Sequence, residues 1–322
     1  MNRFIFSFIL FNLLIFKKIT CWSDEGHMLI SAIAYRGLTD EERAVLDKIF
    51  MNYKEDNHFN HPVLGSIWPD HIKSFDYKYP NNERRIDAID LMNGWHFINI
   101  PYNPLQVHID LFYKYYYKKT EHGLSVLKYT FKTLKNINKK ENHGTYFAYN
   151  FHLRFFIHIF GDLHQPLHTI TFYNENFLEG DHGGNDISVR YNNNVDKLHY
   201  LCDTVFHSRA KKWPQITLDE IFNEADSLMR SYPREYFGNR LEKEMDEIEY
   251  LDFIVNESYS KAVDYIYSNF PHDSLNKETT YVLSNFFVIN LKKLLNEQIV
   301  LGGYRLTRYL KIMIDNVPKD LA

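Results

Sequence analysis

Cysteine is almost missing: Cys21 and Cys202 are the only two in 322 residues. That excludes both a disulfide framework and a Cys-rich structural zinc site, so the fold must rest on its apolar core, which a chain of this length can supply. Proline and glycine are sparse too, ten and thirteen, and nowhere gather into a linker that would divide the chain into tethered modules. No internal repeat is present. Positive charge is not in surplus, since the formal net charge is −4, which argues against a protein that holds nucleic acid through a broad basic face. It leaves room for an enzyme whose bound cations meet the phosphates, because such ions can be the largest local charges in a site.

Long apolar runs are confined to the start of the chain. Residues 4 to 16 follow the single charge of Arg3 and are apolar except for Ser7 and Asn12, a stretch shorter than the roughly 20 residues a membrane-spanning helix needs. Residues 1–21 read as a cleaved secretory leader, although "KKITC" departs from a small-x-small cleavage site. Cleavage after Cys21 would leave a domain of residues 22–322 that begins with Trp22. It would remove Arg3, Lys17 and Lys18, moving the charge from −4 to −7, and leave Cys202 as the only thiol. The expected destination is the secretory pathway, either outside the cell or in a lumen or vacuole, with no further membrane span. One sequon, Asn256-Glu257-Ser258, is available for glycosylation there.

What the chain does have is helical periodicity. Leu124, Leu127, Phe131 and Leu134 recur at three- and four-residue steps, the buried stripe of a helix. Residues 146 to 162, "YFAYNFHLRFFIHIFGD", are too long for a strand and predict a central helix, apolar nearly all round, stopped near Gly161 and Pro166. Further helices are predicted over 28–36, 40–53, 66–77, 124–137, 196–212, 217–231, 240–269 and 278–314, with a possible break at Gly302-Gly303. "DISVRY" and the following asparagines suggest one small hairpin, and "WHFINI" an extended segment. The expectation is an all-α single domain with at most a small β-hairpin, monomeric and without a stable protein partner.

Histidines and carboxylates carry the chemistry. His158 and Asp162 lie four apart on the central helix, and His199 and Asp203 repeat that spacing, so each pair leaves one helix face a turn apart. One such pair is more often an ion pair or a satisfied core histidine than a metal grip. Two pairs, separated by "LHQPLHTITFYNENFLEGDHGGND", are a stronger signal. Pro166 turns the chain so that His168 can face the end of the helix it has left, and Gly183 and Gly184 let backbone pass where a Cβ would clash. His164 and His182, which lie in the loop between the two helical pairs, read as structural or as supports behind the ligands. Upstream, "WPDHIK" offers Asp70 and "GWHFIN" offers His96, while His27 follows Trp22 by five residues. Five imidazoles and three carboxylates without a thiolate suit zinc in catalytic sites.

In order along the chain, "WSDEGH", "WPDHIK", "WHFIN", "HIFGDLHQPLH", "GGND" and "LHYLCD" resemble the zinc-dependent single-strand nucleases and 3′-nucleotidases of fungi and plants. Softer likenesses extend the resemblance to about Leu310. It implies a mostly helical fold shared with zinc phospholipase C, built around three zinc ions. By the resemblance, the first ion takes Asp70, His96, His158 and Asp162. The second takes His27, the shared Asp162, and the α-amine and carbonyl of Trp22, which makes leader removal an activation step. The third takes His168, His199 and Asp203. The resemblance further places Asp70 and Asp162 in catalysis, gives Lys73 the neutralisation of transition-state charge on the phosphoryl group, and gives Phe97 a base-stacking role. Asn99 stands where several members carry an aspartate, and an amide both donates and accepts where a carboxylate only accepts. The implied substrates are single-stranded DNA or RNA, cut to 5′-phosphorylated products, and 3′-nucleotides. The disulfides typical of the plant members are absent, and Cys202 replaces a bulkier residue.

Two rival readings stand beside this one. A zinc phospholipase C would share fold and cluster, but those enzymes have a longer spacer between the terminal tryptophan and its histidine and close the third site with glutamate. A catalytically silent binding protein would not need Lys73 or the whole ligand set.

Overall fold

The computed structural model describes residues 22–52, 57–73, 90–110, 121–137, 146–241 and 244–318. The leader segment 1–21 and the part of the 66–77 helix beyond Lys73 lie outside the described residues. In chain order, the α-helices longer than a single turn are α1 (Asp24–Arg36), α2 (Asp40–Met51), α3 (Gly123–Lys135), α4 (Tyr146–Asp162), α5 (Leu198–Asp203), α6 (Leu218–Ser231), α7 (Glu247–Lys261) and α8 (Asn285–Ile314). Among the described residues none of them is long and apolar enough to cross a membrane.

Local chemistry starts these helices where they start. The side chain of Ser23 accepts from the backbone N–H of Gly26, with Asp24 and Glu25 in the first turn of α1. Thr39 with Glu42, and Thr217 with Glu220, form reciprocal capping boxes on α2 and α6. α4 covers the predicted 146–162 span, and Phe155, Phe156, Ile157, Ile159 and Phe160 are all buried. It packs against α3, α8 and α1, and so forms the middle of one continuous apolar core.

The Gly302-Gly303 pair does not break α8, which runs on to Ile314. A Cβ on Gly303 would lie 2.5 Å from the Ile33 side chain. Gly303 therefore lets α1 and α8 approach closely, Gly302 lies against His164, and these contacts offset the poor helix propensity of glycine.

The strands are β1 (Ile100–Tyr102), β2 (Ile170–Phe172), β3 (Ser188–Tyr191), β4 (Asn194–Lys197) and β5 (Thr280–Val282). The predicted hairpin is β3–β4, antiparallel with Ser188 opposite Lys197. It is joined by β5, parallel to β3, and β1 and β2 form a separate parallel pair with Ile100 beside Ile170. Hence the β content exceeds one hairpin, and the predicted 196–212 helix shrinks to α5. Pairing with β3 claims residues 194–197. Val205, Phe206 and His207 all take positive φ, which a helix cannot continue through. Similarly, 278–284 is lost from the last helix to β5 and the Ser284 cap.

Behind α4 lies a buried polar network. His164 Nδ1 donates to the carbonyl of Phe160 (2.8 Å), Arg305 Nη1 donates to His164 Nε2 (3.3 Å), and Gln298 Nε2 donates to the His164 carbonyl (2.9 Å). Burial, with Arg305 beside it, pushes the imidazole down to about 3, so His164 is a neutral structural group, as expected from the sequence. Glu257 pairs with Arg305 at 2.9 Å and with Arg240 at 2.8 Å. Burial opposes its charge, yet these arginines hold it at about 2, below the usual 4.5. A depressed carboxylate contributes stability above its unfolded pKa and loses it as pH falls through the folded one. Replacing Glu257 with Gln should therefore cost on the order of 2 kcal/mol at pH 7. The difference from the unaltered protein should shrink as pH falls from 4.5 toward 2; denaturant melts across that range check it, and a pH-independent difference contradicts it. In the sequon that contains Glu257, Asn256 is exposed while the Ser258 hydroxyl donates to the Leu163 carbonyl at 2.7 Å.

Candidate metal centre

Five elements converge on the C-terminal end of α4. His158 and Asp162 project from one face, Nε2 to Oδ2 3.2 Å apart. After α4 the chain turns at Gln165-Pro166 into a 3₁₀ turn, Pro166–Thr169, which brings His168 back over the helix end. His96 closes a second 3₁₀ turn, Asp90–His96. The Ile98 N–H donates to the His168 carbonyl at 2.8 Å, so 96–100 runs beside 168–172 and continues as β1–β2. Asp70 comes from the single turn Trp68–His71. His199 and Asp203 are a turn apart on α5, Nε2 to Oδ2 3.4 Å. His27 lies in the second turn of α1, with its ring stacked on His158 at 3.8 Å.

All eight predicted side chains meet. Asp162 lies at the centre: Oδ1 is 3.3 Å from His27 Nε2 and 3.6 Å from His168 Nδ1, while Oδ2 is 3.0 Å from His96 Nδ1. Asp70 stands 3.8 Å from both His96 Nδ1 and His158 Nε2. Three sets have donor atoms close enough to share an ion: His27, His158 and Asp162; Asp70, His96 and His158; His168, His199 and Asp203. Trp22 is buried, its indole N–H donating to the Gly161 carbonyl at 2.9 Å, and the Ser23 N–H donates to the Asp203 carbonyl at 3.2 Å. The residue expected to become the amino terminus is thus pinned between the ends of α4 and α5.

The donor set fits divalent cations. Nδ1 of His158 donates to Ser66 O (2.6 Å), that of His168 to His96 O (2.9 Å), and that of His199 to Gly183 O (2.7 Å). In the neutral imidazole each of these bonds puts the proton on Nδ1 and turns the Nε2 lone pair inward, the outer arrangement that zinc histidines require. His199 Nε2 and His168 Nε2 then lie 3.2 Å apart, a separation two lone pairs tolerate only with a proton or a cation between them. The ring nitrogens of buried His27 and Asp162 Oδ1 lack a well-formed hydrogen bond, although Nε2 and Oδ1 face each other at 3.3 Å, a costly state that an ion would relieve. Gly183 holds φ +63, and a Cβ there would lie 2.4 Å from Leu167 O. Only glycine lets that loop deliver its carbonyl to His199.

The electrostatics are those of a cation trap. Burial alone would raise Asp162, but His158 and His27 hold it well below the carboxylate range, and Lys73 and His158 do the same for Asp70 against the same burial. Burial pushes His96 down to about 4, aided by Lys73. His168 is driven up to about 9 because Asp203 and Asp162 outweigh its burial. A carboxylate cluster that lifts an imidazole that far binds protons when it has no metal, so protons and cations compete for it.

Of the remaining predicted residues, Lys73 Nζ lies 2.7 Å from Asp70 Oδ1 and is largely covered. In the 96–99 segment His96 and Ile98 are buried while Phe97 and Asn99 are partly exposed, so the latter two share the accessible side. Cys202 is fully buried. His182, half exposed and 2.9 Å from Asp186, stays outside the cluster as expected. The sequence carried no sign that the carbonyls of Ser66, His96 and Gly183 would orient the histidines. Gln165 was also passed over, although its place between His164 and Pro166 at a predicted helix end was a clue.

Fold and site together define a mostly helical protein built to hold divalent cations in a buried His/Asp cluster. The S1/P1 Nuclease family model matches residues 22–315, and the chain belongs to that family. It is similar to Nuclease S1 of Aspergillus oryzae (strain ATCC 42149 / RIB 40), 26% identical over 296 residues that cover 91% of each chain. Endonuclease 5 of Arabidopsis thaliana is 23% identical over 320 residues, 93% of this chain and 92% of its own. Endonuclease 4 of the same plant is 26% identical over 197 residues, 60% of this chain and 57% of its own, so this match spans little more than half of that relative. Family membership makes the chain a metal-dependent nuclease, a hydrolase of phosphodiester bonds in nucleic acids.

Proposed function

We propose that residues 22–322, freed of the leader in the secretory pathway, form a zinc-dependent endonuclease of single-stranded DNA and RNA. The products carry 5′-phosphates, and 3′-nucleotides are substrates too. The enzyme works as a monomer outside the cell or in a lumenal or vacuolar compartment. The observation that carries this reading is the partly exposed Phe97, next in sequence to the buried ligand His96. A base from an unpaired strand can stack on it, worth about 1–3 kcal/mol, whereas a duplex keeps its bases stacked away. Asn99 on the same side offers both a donor and an acceptor to the base edge.

Asp70, His96, His158 and Asp162 would hold one zinc; His27, Asp162 and the freed α-amine and carbonyl of Trp22 a second; His168, His199 and Asp203 a third. Zinc bound there would supply Lewis-acid charge for the phosphate oxygens and a nucleophilic water near neutral pH. Asp162 fixes the spacing of the first two positions because its two oxygens face different histidines. Lys73, held against Asp70, brings a fixed positive charge to the edge of the cluster, where charge develops on the phosphoryl group.

Replacing Lys73 with Ala should cut turnover of single-stranded DNA by about 10²–10³ while zinc content stays as in the unaltered enzyme; an unchanged rate removes Lys73 from the mechanism. The substrate class is tested by assaying single-stranded DNA, duplex DNA, a 3′-nucleotide and phosphatidylcholine side by side. Hydrolysis of the single strand and the 3′-nucleotide is expected. Turnover of the lipid alone would make the chain a phospholipase C instead.

A further inference from the structure

Gln165 hydrogen-bonds to three residues of the cluster. Its backbone N–H donates to the Asp162 carbonyl at 2.9 Å, and its carbonyl accepts from the His168 N–H at 3.0 Å. Its side chain reaches 38 residues along the chain, where Nε2 donates to Asp203 Oδ1 at 2.8 Å. The other end of the amide is fixed as well, because Oε1 accepts from the Leu167 N–H at 2.6 Å. That backbone donor settles which way the amide points: the oxygen must face Leu167, so the NH₂ must face Asp203. Gln165 is fully buried and Asp203 nearly so, so water does not compete for either bond.

Asp203 needs such a partner. It sits at the last position of α5, directly before the turn through Val205, Phe206 and His207, where helical hydrogen bonding ends. Its Oδ1 lies 3.4 Å from His168 Nε2 and its Oδ2 3.4 Å from His199 Nε2, and the amide bond to Oδ1 fixes which oxygen faces which imidazole. Glutamate at 165 would lack the donor, and a shorter residue would not span from Leu167 to Asp203.

We propose that Gln165 is the positioning residue of the third cation position: its amide locks Asp203 in the orientation that lets His168, His199 and Asp203 close on one divalent ion. The inference rests on the three-zinc reading above. Loss of an outer hydrogen bond to a ligand weakens metal affinity by roughly 10–100-fold, and here the loss falls on one ion of three. Among the described residues the hydrogen bonds of the Gln165 side chain go to Asp203 and Leu167, so the other two ions are expected to keep their affinity.

The test compares the mature enzyme with Gln165→Met, which preserves volume but cannot donate, and with Gln165→Ala. Each zinc-loaded protein is dialysed against a graded series of dipicolinate and its zinc counted by atomic emission. Both variants should release one zinc at a chelator concentration some 10–100-fold lower than the unaltered enzyme needs, and hold the other two normally. Raising free zinc should restore turnover to Gln165→Met, and one of the d–d bands of the cobalt-substituted protein should shift. If the unaltered enzyme holds three ions and both variants hold all three as tightly, the inference fails alone. Release of all ions together with a lowered melting temperature would give Gln165 a purely structural role and also overturn it. An unaltered enzyme that never holds three ions overturns the reading beneath it as well.

Discussion

Asp162→Asn is expected to lower turnover of single-stranded DNA by at least a thousandfold, about 4 kcal/mol of transition-state stabilisation, and to leave about one zinc bound of three. The substitution keeps the volume of a fully buried side chain. It replaces a doubly shared carboxylate with an amide whose NH₂ points at imidazole nitrogens 3.0 to 3.3 Å away. The two cation positions proposed to share Asp162 would lose their common ligand, whereas His168, His199 and Asp203 form a set without it. The metal-free chain should change as well. There Asp162 is the counter-charge that raises His158 against its burial, and breaking such a buried pair costs about 3–5 kcal/mol. Zinc counting and steady-state rates on the purified variant decide this. Near-normal activity, or retention of all three ions, would show that the two groups do not depend on a shared carboxylate.

An enzyme carrying one extra alanine ahead of Trp22 is expected to fold normally yet lose one zinc and fall in rate by about 10²–10³. Trp22 is fixed by contacts that an added residue leaves alone: its indole donates to Gly161 O, and the following Ser23 N–H donates to Asp203 O. Only the nitrogen of Trp22 changes. As a free amine, with a pKa near 8, it yields its proton to a metal readily; inside a peptide its lone pair is delocalised and cannot bind one. The expected loss is therefore confined to the position made by His27, Asp162 and the terminus. Trimming the alanine with an aminopeptidase should restore both metal and rate. An extended enzyme with three zincs and full activity would remove the α-amine from the account.

Much of the site was legible in the sequence because helices translate spacing into geometry. His158 with Asp162 and His199 with Asp203 needed only the four-residue step, and both pairs stand as that step requires. Pro166 announced the turn that carries His168 back. Gly183 was readable as a close approach, though not as the means of presenting a carbonyl to His199. What escaped is non-local. The helix expected over 196–212 was cut at one end by pairing of 194–197 with β3 and at the other by the positive-φ turn at 205–207, and neither leaves a mark on helical periodicity. β5 was hidden for the same reason: three residues paired with a strand some ninety positions earlier carry too short a pattern to read. The two glycines of α8 suggested a break, but packing makes them contacts, Gly303 against Ile33 and Gly302 against His164. The amide of Gln165 and the backbone carbonyls behind the histidines belong to the same class, since their roles arise only when distant segments meet.

Nine positions from Trp22 to Asp203 are proposed to hold three divalent ions once the amino terminus is free. Native mass spectrometry of the mature chain, purified without chelator and compared with the same protein after dialysis against EDTA, measures it directly. The account predicts three zinc ions per chain, all removed by the chelator with loss of nuclease activity; one ion or none, with activity intact, would contradict it.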